Sequence, residues 1–283
     1  MKKQDHKLLT ALLCLPALAV WGVLWCMASG ALTGAAALAR DLAPALAGTG
    51  EGFARWPLLP DAPTLQPVLE LLLDTPQFFV MFWNTCLQVL PQVAGQIMVG
   101  APAAWAFSRL RFPGRKILFG LYIVLMLLPF QVTMVPNYLV LDALGLMDTM
   151  WAIILPGMFS TFPVFIMAKS FDAVPHSLLE AAGLDGANRL QTFVRVGLPL
   201  GVPGILSAAV LGFLEAWNAI EQPMTFLKNP SRWPLALYLP QIADSALALA
   251  MASSLVMLAP AVLIFLFGQK YLELGIQASG LKE

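Results

Sequence analysis

Residues 172–188 read DAVPHSLLEAAGLDGAN, and this stretch lies between two long apolar runs. Ser177 and Glu180 fit an S-x-x-E capping box, so the pattern predicts that a helix starts here. Gly186 can end that helix by adopting a left-handed conformation. A second helix, over about residues 188–196, is expected to lead to Pro199. The stretch is therefore predicted to be a capped helix, a turn and another helix, rather than a loop that merely ties two apolar segments together.

The apolar runs on both sides point to lipid as the main solvent of this chain. The 283 residues are 59% hydrophobic and 11% charged, with a mean hydropathy of +0.77, whereas soluble domains carry about 25% charged residues. A membrane-spanning helix needs about 20 apolar residues. Six segments meet this requirement, at about residues 8–30, 78–107, 117–138, 149–168, 202–227 and 247–267. The predicted fold class is an all-α membrane protein with six transmembrane helices, the second tilted or kinked at Pro91 or Pro102.

The placement of the basic residues predicts the orientation, because cytoplasmic loops carry an excess of Lys and Arg. Of the sixteen Lys and Arg residues, twelve fall on one side: Lys2, Lys3, Lys7, Arg109, Arg111, Arg115, Lys116, Lys169, Arg189, Arg195, Lys270 and Lys282. Both termini and the loop at 172–199 are therefore predicted to be cytoplasmic. Residues 1–76 form an N-terminal tail, a first transmembrane helix and an outer-face segment, and residues 77–283 form a core of five transmembrane helices.

Polar side chains recur inside two of the predicted spans. Asn84, Gln88, Gln92 and Gln96 follow one another every fourth residue, and so form a slowly winding stripe on a helix. Amides at membrane depth need a partner or water. Hydrogen bonding between helices and the wall of a solute pathway therefore both remain open for this stripe.

The fifth span carries an ionisable group. Glu215, Asn218 and Gln222 share a helix face, with Glu221 beside it, and charged groups within a span normally face protein or water. Trp217 could stack on a sugar ring or simply pack. In the third span, Gln131, Thr133 and Asn137 lie between Pro129 and Pro136, which predicts an irregular helix. The candidate solute-pathway residues are Asn84, Gln88, Gln92, Gln131, Glu215, Trp217, Asn218 and Gln222.

Signatures of other functions are missing from the sequence. It contains no phosphate-binding G-x-x-x-x-G-K-[ST] loop and no Gly-Lys pair. We find no catalytic constellation, no spacing typical of metal ligands, and no net charge of the kind that binds nucleic acid. We therefore expect no catalytic residue, no metal and no cofactor on this chain.

Several motifs together resemble one protein family. Glu180-Ala181-Ala182, Asp185-Gly186-Ala187 and Leu198-Pro199 are similar to the EAA motif of binding-protein-dependent ABC importer permeases. Four further stretches resemble the carbohydrate branch of that family, which includes the second permease subunit of the maltose transporter: 82–85 (FWNT), 106–114 (AFSRLRFPG), 135–146 (VPNYLVLDALGL) and 213–218 (FLEAWN).

The resemblance implies a type I ABC importer permease fold with a cytoplasmic coupling helix. It implies that ATP and Mg²⁺ bind to a separate ABC ATPase dimer. The other implied partners are a second, homologous permease subunit, an extracytoplasmic solute-binding protein and membrane lipid, with no nucleic acid. The ATPase-coupling residues it implies are Ser177, Leu178, Leu179, Glu180, Ala181, Ala182, Asp185, Gly186, Ala187 and Asn188.

Three other readings stay open at this stage. Residues 219–223 (AIEQP) depart from the family's usual aromatic pair and Trp-Pro, so the solute could instead be an oligopeptide, a polyamine or a modified glycan. An ion-coupled secondary transporter would predict internal repeats, and we find none. A structural membrane protein would predict no water access to the fifth span.

Overall fold

The computed structural model describes residues 2–46, 53–56, 58–239, 242 and 246–280. Lys282, one of the cations used to assign the orientation, lies outside them. Within these residues the chain is helical, apart from turns and one isolated antiparallel bridge between Thr33 and Pro63.

The long helices are α1 (Lys2–Ala31), α4 (Pro76–Arg109), α11 (Leu198–Trp217) and α13 (Leu247–Gly280). Shorter helices connect or extend them. They are α2 (Ala35–Leu46), α3 (Gln66–Leu69), α5 (Arg115–Met126), α6 (Phe130–Ala143), α7 (Trp151–Met158), α8 (Thr161–Asp172), α9 (His176–Leu184), α10 (Arg189–Thr192) and α12 (Glu221–Phe226). Two π-helical turns, Glu70–Asp74 and Phe193–Gly197, continue α3 and α10.

Several of these helices could cross a membrane. By length and composition, four stretches of the described residues qualify: Leu12–Ala31, Trp151–Asp172, Arg189–Trp217 and Leu247–Glu273. The pair α5 and α6 makes a fifth when counted as one broken span, with a bend of 105° between its halves. Helix α4 has 34 residues but is not among the stretches apolar enough, and it is the helix that carries the stripe of four amides.

The irregular helix predicted for the third span is confirmed, and the irregularity is a complete break. The span is the bent pair α5 and α6, broken after Met126. Pro129 explains the break, since its backbone is extended (ψ 152°) and a proline disfavours helical geometry in the residue before it.

The fifth predicted span was wrong at its end. Helix α11 stops at Trp217, and α12 begins separately at Glu221. Pro223 weakens a continuous helix here, because it lacks the amide hydrogen that would bond to the carbonyl of Ala219. The predicted face shared by Glu215, Asn218 and Gln222 is therefore not a face of one helix.

The chain divides into two compact units. The first comprises Met1–Val80 and Tyr238–Pro260. In it, Leu38 and Leu42 of α2 pack with Ala248 of α13 into a small buried cluster, against which Trp56 lies. The Trp25 indole donates to the carbonyl of Leu58 at 2.8 Å. These contacts fold the segment after α1 into an ordered layer instead of a free linker.

The second unit comprises Met81–Leu237 and Ala261–Glu283. Its core joins three helices. Trp105 of α4, Met167 and Phe171 of α8, and Ala208 of α11 belong to one buried cluster. Small residues allow α8 and α11 to approach closely: a Cβ added to Gly204 would lie only 2.1 Å from the Cβ of Ser170. Such small-residue contacts are typical of helix packing in membranes.

Candidate functional site

A cavity of about 890 Å³ opens within the second unit, and its volume is in the range of small-molecule sites, about 300–1,000 Å³. Helices α4, α6, α11 and α12 and the break between α7 and α8 contribute to its wall. Most of the lining is apolar. The polar residues on it are Gln92, Gln96, Thr133, Asn137, Ser160, Thr161, Glu215 and Gln222. Three predicted pathway residues, Gln92, Glu215 and Gln222, therefore lie on this wall.

The amide stripe of α4 divides into two halves with different partners. The Asn84 amide donates to the carbonyls of Ser231 (2.7 Å) and Trp233 (3.1 Å). The Gln88 amide donates to the carbonyl of Arg232 at 2.9 Å. Both predicted pathway residues thus hold the loop of residues 228–235 and do not line the cavity.

The second half of the stripe reaches the cavity wall. Gln96 is 3% exposed, and its amide nitrogen donates to the carbonyl of Gly157 at 2.9 Å. Gln92 packs so closely that a Cβ on Gly157 would lie 2.2 Å from its Cδ. Glycine at 157 therefore leaves room for the Gln92 side chain against α7, beside the break that follows Met158.

Two carboxylates that looked equivalent in the sequence differ in their surroundings. Both oxygens of Glu221 accept from the Gln131 amide, at 2.8 and 3.0 Å. Glu215 lies on the cavity wall, and its carboxylate has no hydrogen-bond or ion-pair partner among the described residues. Gln131 is thus occupied by Glu221 and does not line the cavity.

Trp217 and Asn218 end α11 and are not on the cavity wall. Trp217 is buried, stacks on Phe213 with ring centres 5.4 Å apart, and meets Phe82 edge-on at 6.0 Å. The Asn218 amide donates to the carbonyl of Leu214 at 2.8 Å. In this conformation both residues contribute to packing and to the helix end.

The 172–199 loop is a helix, a tight turn and a short helix. Gly186 takes the left-handed conformation with φ 81°, as predicted. The amide of Ala187 donates to Ala182 O (2.9 Å) and that of Gly186 to Gly183 O (3.1 Å). These two bonds form a Schellman motif that closes α9.

The capping box predicted at Ser177 and Glu180 was wrong. Helix α9 begins at His176, and Pro175, whose ψ is 135°, occupies the N-cap. Ser177 is already inside the first turn, where its side chain cannot cap. A capping box does form one helix later, because Asn188 and Gln191 exchange bonds of 2.9 and 3.0 Å.

The surface of this loop is exposed, and none of α9 is buried. Leu184 is 90% exposed and Leu190 is 69% exposed. Leu179 instead packs against the core cluster of the second unit, so the helix is held from one side and open on the other. All ten predicted coupling residues are exposed or half-buried.

Comparison with known proteins identifies the family. Residues 96–277, more than half of the chain, match the family described as "Binding-protein-dependent transport system inner membrane component". The chain belongs to this family. The permease is 30% identical over 233 residues to the inner membrane ABC transporter permease protein YcjP of Escherichia coli strain K12, covering 80% of this chain and 82% of that protein.

A second relative and a solved structure agree. The permease is 29% identical over 229 residues to the sulfoquinovosyl glycerol transport system permease protein SmoH of Agrobacterium fabrum strain C58, covering 79% of this chain and 80% of that one. Its fold matches a chain of a bacterial ABC transporter involved in the import of the acidic polysaccharide alginate, with a TM-score of 0.78, 23% identity, and coverage of 95% and 97%. The chain is therefore an ABC importer permease with sugar-transport relatives, a transport subunit and not an enzyme.

Some residues of the permease site were missed by reasoning from sequence. Ser160 and Thr161, at the break between α7 and α8, lie on the cavity wall. The sequence feature that could have indicated them is a pair of hydroxyl residues, separated from Pro163 by Phe162, in an otherwise apolar run. Thr133 and Asn137 were noticed between two prolines but were not among the predicted pathway residues.

Proposed function

We propose that the permease imports a carbohydrate by alternating access, coupled through α9 to a separate ABC ATPase dimer that binds ATP and Mg²⁺. A second, homologous permease chain completes the pathway, and an extracytoplasmic solute-binding protein delivers the solute. The chain lies in the inner or plasma membrane with both termini cytoplasmic. Its six spans are α1, α4, the pair α5 and α6, the pair α7 and α8, α10 continued by α11, and α13.

One observation carries the proposal: α9 is a stiffened, exposed helix outside the apolar spans. The Schellman turn fixes its end, and Leu184, at 90% exposure, offers an apolar side chain to a partner. An amphipathic helix held in this way is suited to a groove of another protein. The relative named for sulfoquinovosyl glycerol and the alginate importer support a carbohydrate as the solute.

The experiment for coupling uses paired substitutions on this helix. Gly186→Val places a β-branched residue at φ 81° and should distort the turn, whereas Gly186→Asn keeps a residue that tolerates this conformation. Glu180→Arg reverses an exposed charge, and Glu180→Gln is its mild counterpart. We expect Gly186→Val and Glu180→Arg to abolish co-purification of the ATPase while membrane insertion is unchanged. Normal co-purification with both would refute the proposal.

A second candidate solute class follows from Glu215. Its carboxylate is the one charged group on the described cavity wall and lacks a protein partner there, so a solute with a cationic group would suit it. Uptake of a neutral and an amino-bearing oligosaccharide should be compared in the parent and in Glu215→Gln. A neutral-sugar transporter keeps its preference in the variant, whereas selective loss of the amino-bearing compound would favour the cationic class.

A further inference from the structure

The end of α8 is fastened to the end of α4 by one arginine. The Arg109 guanidinium, on the last residue of α4, donates from Nε to the carbonyl of Phe171 at 2.9 Å and from Nη2 to the same oxygen at 2.5 Å. Nη2 also donates to the carbonyl of Val174. A further hydrogen bond lies beside these three, from the Ser108 hydroxyl to Asp172 Oδ1 at 2.6 Å.

These bonds hold the segment from which α9 emerges. The last carbonyls of a helix have no partner within it, and a cation near them is favourable because of the helix dipole. Val174 directly precedes Pro175, the N-cap of α9. Only residues 173–175 separate α8 from α9, so the guanidinium fixes the backbone at the joint itself.

Packing holds the helix bodies and one residue of the joint. Phe171 and Trp105 meet edge-on at 5.3 Å, which holds the bodies of α8 and α4 together. Beyond Phe171 the chain is exposed at Asp172 and Ala173, whereas Val174 is buried. Without Arg109, the carbonyls of Phe171 and Val174 would lose their side-chain donor. The Val174 side chain and the Ser108–Asp172 bond would then hold the joint, which leaves its backbone freer to pivot.

Helix α4, which carries Arg109, also reaches the cavity. Gln96 lies thirteen residues before Arg109 on continuous α4, a distance of about 20 Å along the axis. Thr161, at the start of α8, lies on the cavity wall as well. A displacement of α9 can move both walls only if the joint at 173–175 is stiff.

We infer that Arg109 is a positioning residue for coupling, which locks the α8–α9 joint so that movement of α9 is transmitted to the cavity. This inference rests on the proposed function, since it requires a partner that moves α9. The guanidinium is suited to the task because its planar fork holds Nε and Nη2 in a fixed geometry toward the two carbonyls, whereas the donors of an ammonium rotate freely on a flexible stem.

The test uses the intact transporter complex with a reporter cysteine in the cavity. Cys14, Cys26 and Cys86 are replaced by serine, Asn137 is changed to cysteine, and its maleimide labelling rate is measured with and without a non-hydrolysable ATP analogue. Arg109→Gln is compared with Arg111→Gln, which removes the same charge from an exposed position two residues later. ATPase co-purification and thermal unfolding are measured alongside.

We expect nucleotide to change the labelling rate in the parent and in Arg111→Gln, and this response to be lost in Arg109→Gln with the ATPase still bound. An equal response in both variants would overturn the inference. If Arg109→Gln does not assemble, Arg109→Lys is tested instead. A reduced response of the labelling rate to nucleotide would support the role of the guanidinium, and a full response would overturn the inference. No nucleotide response in the parent would refute the proposed coupling, and the role of Arg109 with it.

Discussion

At the scale of single residues, Asp148 combines an unusual backbone conformation with several contacts. It is the one non-glycine residue of the described chain with positive φ, at 56°. Its carboxylate accepts from the amides of Lys228 (3.0 Å) and Asn229 (2.9 Å) and pairs with Arg232 at 3.3 Å. The Asn229 amide is the main reason that the pKa of Asp148 lies below its ordinary value. Asp148 therefore fastens the 228–235 loop from one side, while Asn84 and Gln88 hold it from the other.

We predict that Asp148→Ala destabilises the permease more than Asp148→Asn. Asparagine tolerates the left-handed conformation and keeps a side-chain oxygen for the two amides. Alanine lacks that oxygen, and in the left-handed conformation it carries a backbone penalty of about 1–2 kcal/mol. The exposed ion pair with Arg232 contributes little, because solvent screens it. Thermal unfolding in detergent would measure this, and equal melting temperatures for the two variants would contradict it.

The depressed pKa also fixes the pH dependence of this contact. A carboxylate whose folded pKa is lowered stabilises above its unfolded pKa and loses that contribution as pH falls through the folded value. The difference in stability between the parent and Asp148→Asn should therefore be constant near neutral pH and shrink in acid. A difference that grew on acidification would contradict the assignment.

At the scale of elements, the close approach of α8 and α11 depends on glycine. The Cβ of an alanine at 204 would lie 2.1 Å from Ser170 Cβ, an atom that cannot move unless the helix backbone moves. We predict that Gly204→Ala costs about 1–3 kcal/mol through overpacking. Gly120→Ala is the matched control, because nothing lies within 4 Å of its added Cβ, and it should be neutral or slightly stabilising. Thermal unfolding of the two variants would measure this difference. Equal melting points would contradict the prediction and show that the helices can separate at no cost.

The sequence predicted which segments are helical much better than where the helices break. Apolar run length predicted four stretches that could cross a membrane and the bent pair of α5 and α6. It carries no information on the 105° bend of that pair, which depends on Pro129 and on neighbours distant in sequence. The S-x-x-E pattern at Ser177 predicted a capping box, and the local pattern does not show that Pro175 takes the N-cap position of α9 instead. The i, i+4 spacing found the amides of α4. Their division between the loop and the cavity depends on residues such as Arg232 and Gly157, which are more than 60 positions away.

At the scale of the whole molecule, the cavity wall carries eight polar residues, whereas the described surface of α1 is apolar. Leu18, for example, is 67% exposed in the isolated chain, as expected for a residue that meets lipid. A helix such as α4 carries amides that lipid would not tolerate without partners. The proposed solute pathway therefore predicts that water reaches the cavity.

A cysteine placed on the cavity wall is therefore expected to react with a water-soluble reagent, whereas a cysteine on the lipid-facing surface of α1 is not. We predict that Ser160→Cys, in a chain with Cys14, Cys26 and Cys86 replaced, is labelled in membranes by an impermeant maleimide, because maleimides react with the thiolate and a thiol in lipid stays protonated. Leu18→Cys should stay unlabelled until detergent is added, which also shows that its thiol is intact. Equal labelling of the two cysteines, or none at residue 160 in every nucleotide state, would mean that the cavity is not a solute pathway.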